Sequence, residues 1–245
     1  MTKNELNKYE EIARQFPQSN LLEGYHHFRR LELTLYFLKK LGGDLLVLDA
    51  ACGDGIQAER IIDIHRVIGI DLSPTRIKRA KNRVKEGTFM NGNLYNLPFK
   101  SNKFDAVVLG EIIEHLHEPK EVLKEINRIL RRNGYLIMDI PSRSNIVDMI
   151  LRFLGKNPMW GLYVDKSHVA FYDMHSIESI FKDSGFKIID ARGGPCIRYD
   201  LPLLGMFTWQ KKKWAILKII DMILERIPVI KKYGAIQIFL FRVVK

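Results

Sequence analysis

The sequence predicts an α/β fold with a mostly parallel sheet and helices on both faces. Short apolar runs such as LLVLDA (45–50) and VIGID (67–71) are typical of buried strands, and segments of helical periodicity lie between such runs. Strands joined through helices form right-handed crossovers, which make the strands parallel and cover both sheet faces. The 245 residues, 47% of them hydrophobic, can bury a substantial core as one domain with additional segments.

The predicted elements alternate along most of the chain. Two helices come first, at 4–16 and 20–41, and Gly42-Gly43 ends the second one. Seven strands are expected, at 45–50, 67–71, 88–91, 104–109, 135–140, 186–190 and 235–244. Helices are expected between them, at 57–64, 74–84 with Ser73 as N-cap, 119–132 and 176–184.

This order predicts an N-terminal helical segment over residues 1–43 and a main domain over 44–245. Within the main domain, inserts are expected at about 143–172 and 195–233, where the alternation of strands and helices is interrupted.

Several classes of protein are excluded by composition. The two cysteines, Cys52 and Cys196, are too few for a disulfide framework, and the N-terminal stretch MTKNELNKYEEIARQF lacks the apolar core of a secretory signal. No run approaches the roughly 18 apolar residues of a membrane-spanning helix. We expect a cytoplasmic protein, with a peripheral membrane contact left open.

The positive charge is concentrated near the C-terminus. The chain carries a net charge of +11, and residues 195–245 hold ten Lys and Arg against three acids, a net +7 in 51 residues. Such a region fits a solvated basic face, an anionic membrane surface or nucleic acid.

The stretch LDAACGDG (48–55) follows the first predicted strand. Ala51 has only a methyl group as its side chain, and Gly53 and Gly55 have only a hydrogen atom, so a ligand can approach the backbone closely. Together with Ala58, the glycines fit the loose G-x-G-x-x-G/A pattern of a dinucleotide-binding turn, which alone is weak evidence.

The acids in and near this stretch favour a different cofactor. Asp54 would place a negative charge where a dinucleotide has its diphosphate, and two such charges about 4 Å apart repel by roughly 4 kcal/mol at an effective dielectric constant near 20. S-adenosylmethionine has no phosphate and brings a cationic sulfonium and ammonium, which Asp49 and Asp54 would attract.

Four segments resemble, in order and spacing, the motifs of the class I S-adenosylmethionine-dependent methyltransferases, and the group of ubiquinone-type O-methyltransferases among them. They lie in VLDAACGDG (47–55), VIGIDLSP (67–74) and GNLYNLPFKSNKFDAVVLGEIIEHLHEP (92–119), which holds two motifs. The resemblance runs from about Leu45 to Asp190. It implies a Rossmann-like seven-stranded sheet, with the N-terminal helices covering the cofactor site.

The same resemblance implies the cofactor contacts. Asp71 would hold the ribose hydroxyls, and Asn93, where aspartate is frequent in the family, can still bond adenine. Ala51 stands where glycine is more usual. The full predicted cofactor set is Asp49, Ala51, Gly53, Asp54, Gly55, Asp71, Leu72, Asn93, Leu94 and Glu111.

The segment EIIEH (111–115) indicates where the methyl acceptor binds. Glu111, Glu114 and His115 stand at i, i+3 and i+4 and would share one face of a helical turn. Similar E-x-x-E-H segments in related O-methyltransferases and small-RNA 3′-end methyltransferases hold a divalent metal together with a later histidine, for which His168 is the candidate here. This resemblance implies a metal such as Mg²⁺ on Glu111, Glu114, His115 and His168. Alternatively, His115 or His168 acts as general base.

Residues 208–234 are the least family-like part. Lys218, Asp221 and Glu225 form one polar stripe of a predicted helix and leave a broad apolar face. This pattern fits a helix in a membrane interface or a lid over a lipophilic pocket. An ordinary helix packed against the sheet fits it as well.

We therefore expect a methyltransferase acting on oxygen of a small or lipid-like acceptor. An RNA (tRNA) methyltransferase is an alternative that the basic C-terminal region favours and the lack of a recognisable RNA-binding module disfavours. A non-catalytic cofactor-binding partner protein is the third hypothesis.

Overall fold

The computed structural model describes residues 3–15, 17, 25–141, 153, 155, 168–170, 172–194, 214–224, 227 and 236–245. Most of the predicted inserts at 143–172 and 195–233 lies outside these residues.

The described residues form a seven-stranded sheet in the order β3-β2-β1-β4-β5-β7-β6. The first five strands pair in parallel, and β7 runs antiparallel to both β5 and β6. The strands are β1 (Leu46–Ala50), β2 (Arg66–Asp71), β3 (Thr88–Asn91), β4 (Phe104–Gly110), β5 (Leu130–Pro141), β6 (Phe186–Gly194) and β7 (Ile236–Val243). The predicted mostly parallel α/β sheet is confirmed.

Helices cover both faces of this sheet. They are α1 (Lys3–Gln15), α2 (Tyr25–Leu41), α3 (Ile56–Ile61), α4 (Pro74–Arg83), α5 (Pro119–Ile129), α6 (Met174–Phe181) and α7 (Trp214–Leu224), with a short 3-10 helix at Ile113–His115. Among the described residues, none of these helices has the length and hydropathy to cross a bilayer.

The core forms one apolar layer on each face of the sheet. Alternating residues of a strand point to opposite faces, so Val47 joins the layer beneath α2, α3 and α4, and Leu48 joins the layer beneath α5 and α6. Because both faces are filled, polar side chains that serve a ligand have room only at the ends of the strands.

Several element boundaries differ from the prediction by a few residues, and two of these differences have a clear local reason. Helix α5 ends at Ile129 instead of residue 132, because Leu130 already pairs with Phe104 at the start of β5. Helix α6 begins at Met174 instead of 176, because the Asp173 carboxylate accepts from the Ser176 backbone N–H at 2.9 Å and caps the helix there. The predicted N-cap Ser73 is confirmed, since its hydroxyl accepts from the Arg76 N–H at 3.1 Å.

Candidate active site

Acidic side chains gather at the carboxyl edge of the parallel strands. Asp49 lies near the end of β1, Asp71 ends β2, Glu111 follows β4, and Asp139 lies near the end of β5. These strand ends meet along one edge, which is where open α/β sheets bind ligands. The edge is therefore rich in negative charge and suits a cationic ligand.

The loop between β1 and α3 turns sharply toward β2. Its backbone is left-handed at Ala51 (φ 62°), Gly53 (φ 53°) and Gly55 (φ 80°). A Cβ on Gly55 would lie 3.0 Å from Ala80 of α4, so glycine is required there by both conformation and packing. At Ala51 the side chain occupies a conformation that L-residues reach only at a cost.

Asp71 is fixed by this loop and by the start of α4. Its Oδ2 accepts from the Gly53 N–H and its Oδ1 from the Ser73 N–H, both at 2.9 Å. Burial raises the pKa of Asp71, and these two hydrogen bonds to the charged form oppose the shift. The carboxylate is thus held in one orientation at the end of β2.

Asp49 is buried with incomplete hydrogen bonding. Only 2% of its surface is exposed, and its Oδ1 accepts from Gln57 Nε2 at 2.8 Å. Within the described residues its buried Oδ2 has no hydrogen-bond partner. Burial raises the pKa of Asp49 to about 7, so this carboxyl group is poised to gain or lose a proton near neutral pH.

Asp54 does not supply the negative charge that the sequence analysis predicted at the cofactor site. Its two carboxylate oxygens lie 3.7 Å from Arg76 Nη1 and Arg79 Nη1, so they face α4 and its positive charge. The repulsion predicted against a diphosphate is offset by these two cations, and Asp49 and Asp71 supply the negative charge at the strand ends instead.

An ion-pair cluster joins α2 to the strand ends. Arg30 Nη1 lies 3.3 Å from Glu111 Oε2 and 3.4 Å from Asp139 Oδ1, and the Glu111 N–H donates to Asp139 Oδ1 at 3.1 Å. Asp139 is fully buried, which raises its pKa to about 6. A Cβ at Gly110 would approach Arg30 Nη1 to 3.0 Å, so the missing side chain makes room for this cluster.

The predicted shared helical face of the EIIEH segment is wrong for Glu111. Its backbone is left-handed (φ 49°) and precedes the 3-10 helix Ile113–His115, so its carboxylate turns toward Arg30 and His27. A left-handed residue before the helix breaks the i, i+3 alignment on which the prediction depended.

Glu114, His115 and His168 do come together. They offer ligand atoms that lie within 4.8 Å of one another, and the two imidazole centroids are 4.7 Å apart. The Glu114 carbonyl accepts from the N–H groups of Val169 and Ala170 at 2.9 and 3.2 Å, which ties the segment 168–170 to the site.

Glu114 itself is a buried acid. Its side chain is 1% exposed, and neither carboxylate oxygen has a hydrogen-bond partner within the described part of the chain. Burial raises the pKa of Glu114 to about 9, with Glu111 adding to the shift, so Glu114 is neutral at pH 7.

The remaining predicted cofactor residues frame the edge. Asn93 is exposed, and its Oδ1 accepts from the Tyr95 N–H at 3.0 Å, while Leu72 and Leu94 are half-buried. Their cofactor contacts stay predictions.

Sequence reasoning missed four residues of this region: Tyr9, Arg30, Gln57 and Asp139. Asp139 had a usable pattern, because an aspartate interrupts the apolar run LIMDI at the end of a predicted strand. Arg30 had no sequence pattern that indicates a role in the site, since Arg29-Arg30 in a helix usually indicates a solvated face.

Comparisons with known proteins give similar methyltransferases. A family model described as a methyltransferase domain matches residues 48–138. A protein of Mycolicibacterium smegmatis named as a probable S-adenosylmethionine-dependent methyltransferase is 29% identical over 184 residues, covering 72% of this chain and 71% of that one. The demethylmenaquinone methyltransferase of Chlamydia pneumoniae is 26% identical over 202 residues, covering 74% and 86%.

A solved structure shows the same fold. The S-adenosylmethionine-dependent methyltransferase of Thermotoga maritima aligns with a TM-score of 0.67 at 16% identity, over 97% of this chain and 98% of that one. These comparisons support a class I S-adenosylmethionine-dependent methyltransferase. The methyltransferase takes S-adenosylmethionine as its methyl donor, and the hypothesis of a non-catalytic binding protein is set aside.

The left-handed backbone of the loop between β1 and α3 predicts how substitutions there change the free energy of unfolding. Ala51→Gly is expected to raise the free energy of unfolding by about 0.5–1 kcal/mol, because a left-handed L-residue costs roughly 1–2 kcal/mol and the greater freedom of glycine in the unfolded chain returns only part of this. Urea unfolding measures the change. The matched variant Gly55→Ala should lose stability, because its Cβ meets Ala80. A less stable Ala51→Gly variant would contradict the assigned backbone strain.

Proposed function

We propose that this methyltransferase methylates a hydroxyl oxygen of a small, lipid-like acceptor. The names of its demethylmenaquinone methyltransferase relatives support a quinone-like lipid as the acceptor class. The choice of oxygen rests on the histidines of the site and not on these relatives. The observation that carries the proposal is the position of the cluster formed by Glu114, His115 and His168. It follows β4, at the same sheet edge as Asp49 and Asp71, so a proton acceptor stands beside the expected methyl donor.

In this proposal the cofactor lies along the strand ends of β1 and β2. Asp71 accepts hydrogen bonds from the ribose hydroxyls, Asn93 contacts adenine, and the buried carboxylate of Asp49 faces the cationic methionine end. The Oδ2 of Asp49 supports this placement. It has no hydrogen-bond partner among the described residues, and a buried carboxylate oxygen without a partner costs free energy that a cation would recover. Glu111 lies further along the same edge, bound to Arg30.

The methyl transfer needs little covalent chemistry from the protein. S-adenosylmethionine would supply the methyl group to the acceptor oxygen and would leave as the thioether S-adenosylhomocysteine, and His115 or His168 would accept the proton of the acceptor hydroxyl. The protein contributes by holding the acceptor in line with the methyl group and by accepting the proton.

The cluster of Glu114, His115 and His168 offers one carboxylate and two imidazole nitrogens to a divalent cation, a set of ligands that suits a transition metal better than the predicted Mg²⁺. Their ligand atoms lie close enough to share one ion, and the buried Glu114 oxygens lack hydrogen-bond partners within the described residues. Such an ion would lower the pKa of an acceptor hydroxyl. Glu111, predicted as a fourth ligand, lies outside this group.

Helix α7 supports a lipid-like partner because four of its described apolar residues are exposed. Lys218 binds Glu32 of α2, whereas Ile219, Ile220, Met222 and Ile223 are exposed, Ile219 and Ile223 to 58% each. The exposure of Ile220 (37%) and Ile223 (58%) weighs against the alternative that this face packs against the sheet. We propose that the exposed face, within the basic segment 208–234, contacts an anionic membrane that holds the acceptor.

The N-terminal helices complete the proposed site. Helix α1 contacts the start of α4, and Arg30 of α2 contacts the ends of β4 and β5. We propose that residues 1–43 cover the cofactor site of the domain formed by 44–245 while this site is empty.

Cofactor binding should depend on pH through Asp49. A cation binds the ionised carboxylate, so S-adenosylmethionine binding lowers the pKa of Asp49 from about 7 and releases a proton. Affinity should rise as the pH increases from about 5.5 to 7.5 and level off above. Calorimetry in buffers of different ionisation enthalpy measures both effects. The isosteric Asp49→Asn variant should bind more weakly at pH 8 and show less dependence on pH, and proton-neutral binding by the unmodified protein would refute this role.

The acceptor chemistry is tested with methyl-labelled cofactor and a total lipid extract. His115→Ala and His168→Ala should reduce label transfer into lipid more at pH 7 than at pH 9, because the acceptor ionises unaided at high pH. The exposed His175→Ala on α6 is the matched control.

The metal is tested with a chelator in the same assay. Loss of activity in chelator with recovery in Mg²⁺ would support the metal. Full activity in chelator would leave the general base as the remaining role of the histidines. Label entering RNA and not lipid would favour the RNA methyltransferase.

Membrane contact through α7 is tested with vesicles of phosphatidylglycerol and phosphatidylcholine. The double variant Ile219→Ser/Ile223→Ser should weaken co-sedimentation at least about tenfold, since each buried isoleucine contributes roughly 1.5–3 kcal/mol. Partial binding should persist in high salt, which screens the lysines. The control Ile189→Ser/Val244→Ser removes two exposed apolar residues elsewhere. Complete loss in salt, with RNA competing for the same protein, would refute the membrane contact.

A further inference from the structure

Helix α1 is fastened across the start of α4 by several polar contacts. Glu10 accepts from the hydroxyls of Ser73 and Thr75, and Arg79 donates to the carbonyls of Ala13 and Arg14 at 2.5 and 3.2 Å. These contacts place α1 directly beside the end of β2.

One side chain of α1 reaches the acid that ends β2. Tyr9 Oη donates to Asp71 Oδ1 at 3.4 Å, and the Arg76 guanidinium lies 5.5 Å from the centre of the Tyr9 ring. Burial and the nearby Asp71 charge raise the pKa of Tyr9, so its hydroxyl keeps its proton and remains a donor.

Asp71 has too few free acceptor positions for a ribose diol while Tyr9 is bound. A carboxylate offers about four lone-pair positions. Ser73, Gly53 and Tyr9 take three of them, with Oδ1 accepting two hydrogen bonds and Oδ2 one. A ribose with two vicinal hydroxyls needs two positions, so one hydroxyl would go without its acceptor.

We propose that Tyr9 is a gating residue whose hydroxyl stands in for a ribose hydroxyl of the nucleoside cofactor, so that α1 must release Asp71 before the cofactor binds. The proposal rests on the proposed role of Asp71 as the ribose acceptor. The closed α1 then satisfies the buried carboxylate between turnovers, and opening of α1 limits entry of S-adenosylmethionine.

The contact is tested by removing the hydroxyl alone. Tyr9→Phe keeps the ring and its packing but deletes the competing donor, so S-adenosylhomocysteine should bind about two- to tenfold more tightly by calorimetry, the range for one intramolecular hydrogen bond. The control is Tyr36→Phe on α2, whose hydroxyl accepts from Arg192 at 2.9 Å and should leave affinity unchanged. Unchanged or weaker binding by Tyr9→Phe would overturn the proposal.

Hydrogen exchange of α1 gives an independent readout. If the cofactor displaces Tyr9, amides in residues 3–15 should exchange faster when S-adenosylhomocysteine is bound, and Glu10→Gln should speed their exchange in its absence. Protection of these amides by the ligand would show that α1 closes over the cofactor and would overturn the gating role. If neither the unmodified protein nor Tyr9→Phe binds S-adenosylmethionine or S-adenosylhomocysteine, the proposed function is refuted, and the gating role that rests on it is refuted as well.

Discussion

The burial of carboxylates at the carboxyl edge of the sheet is the constraint on which the site depends. Asp49, Asp71 and Asp139 are each no more than 2% exposed, and removing a charged group from water is costly unless a partner compensates. The fold compensates only in part, because Arg30 binds Asp139 whereas Asp49 keeps a buried oxygen without a described partner. The remaining charge is a reason for a cation to bind there.

The backbone around these acids is shaped to permit their burial. The left-handed loop directs the Gly53 N–H to Asp71, and the missing side chain of Gly110 leaves space for the Arg30 cluster. On the proposed acceptor side, the left-handed backbone of Glu111 separates two side chains that lie close in sequence. The Glu111 carboxylate pairs with Arg30, whereas Glu114 lies beside the two histidines. One short segment after β4 thus borders both the cofactor region and the proposed acceptor region.

The sequence predicted the sheet well because its information is local. Apolar runs bounded by turns located all seven strands, and Ser73 located the start of α4. The side-chain partners depend on tertiary packing, which periodicity does not encode. Asp54 therefore faces two arginines of α4, Glu111 leaves its predicted helical face, and Tyr9 reaches Asp71 across 62 positions of the chain. Likewise, the pattern of residues 208–234 defined an apolar face but not the direction in which α7 presents it.

We propose that the acidic edge, held at Asp71, selects S-adenosylmethionine over phosphate-bearing dinucleotides. The most direct measurement is calorimetric titration of the unmodified protein and Asp71→Ala with S-adenosylmethionine and with a nicotinamide dinucleotide. We expect binding of S-adenosylmethionine alone and a loss of affinity of about tenfold or more in Asp71→Ala, since hydrogen bonds to a charged group contribute roughly 1.5–3 kcal/mol each. Unchanged affinity in the variant, or preferential binding of the dinucleotide, would contradict it.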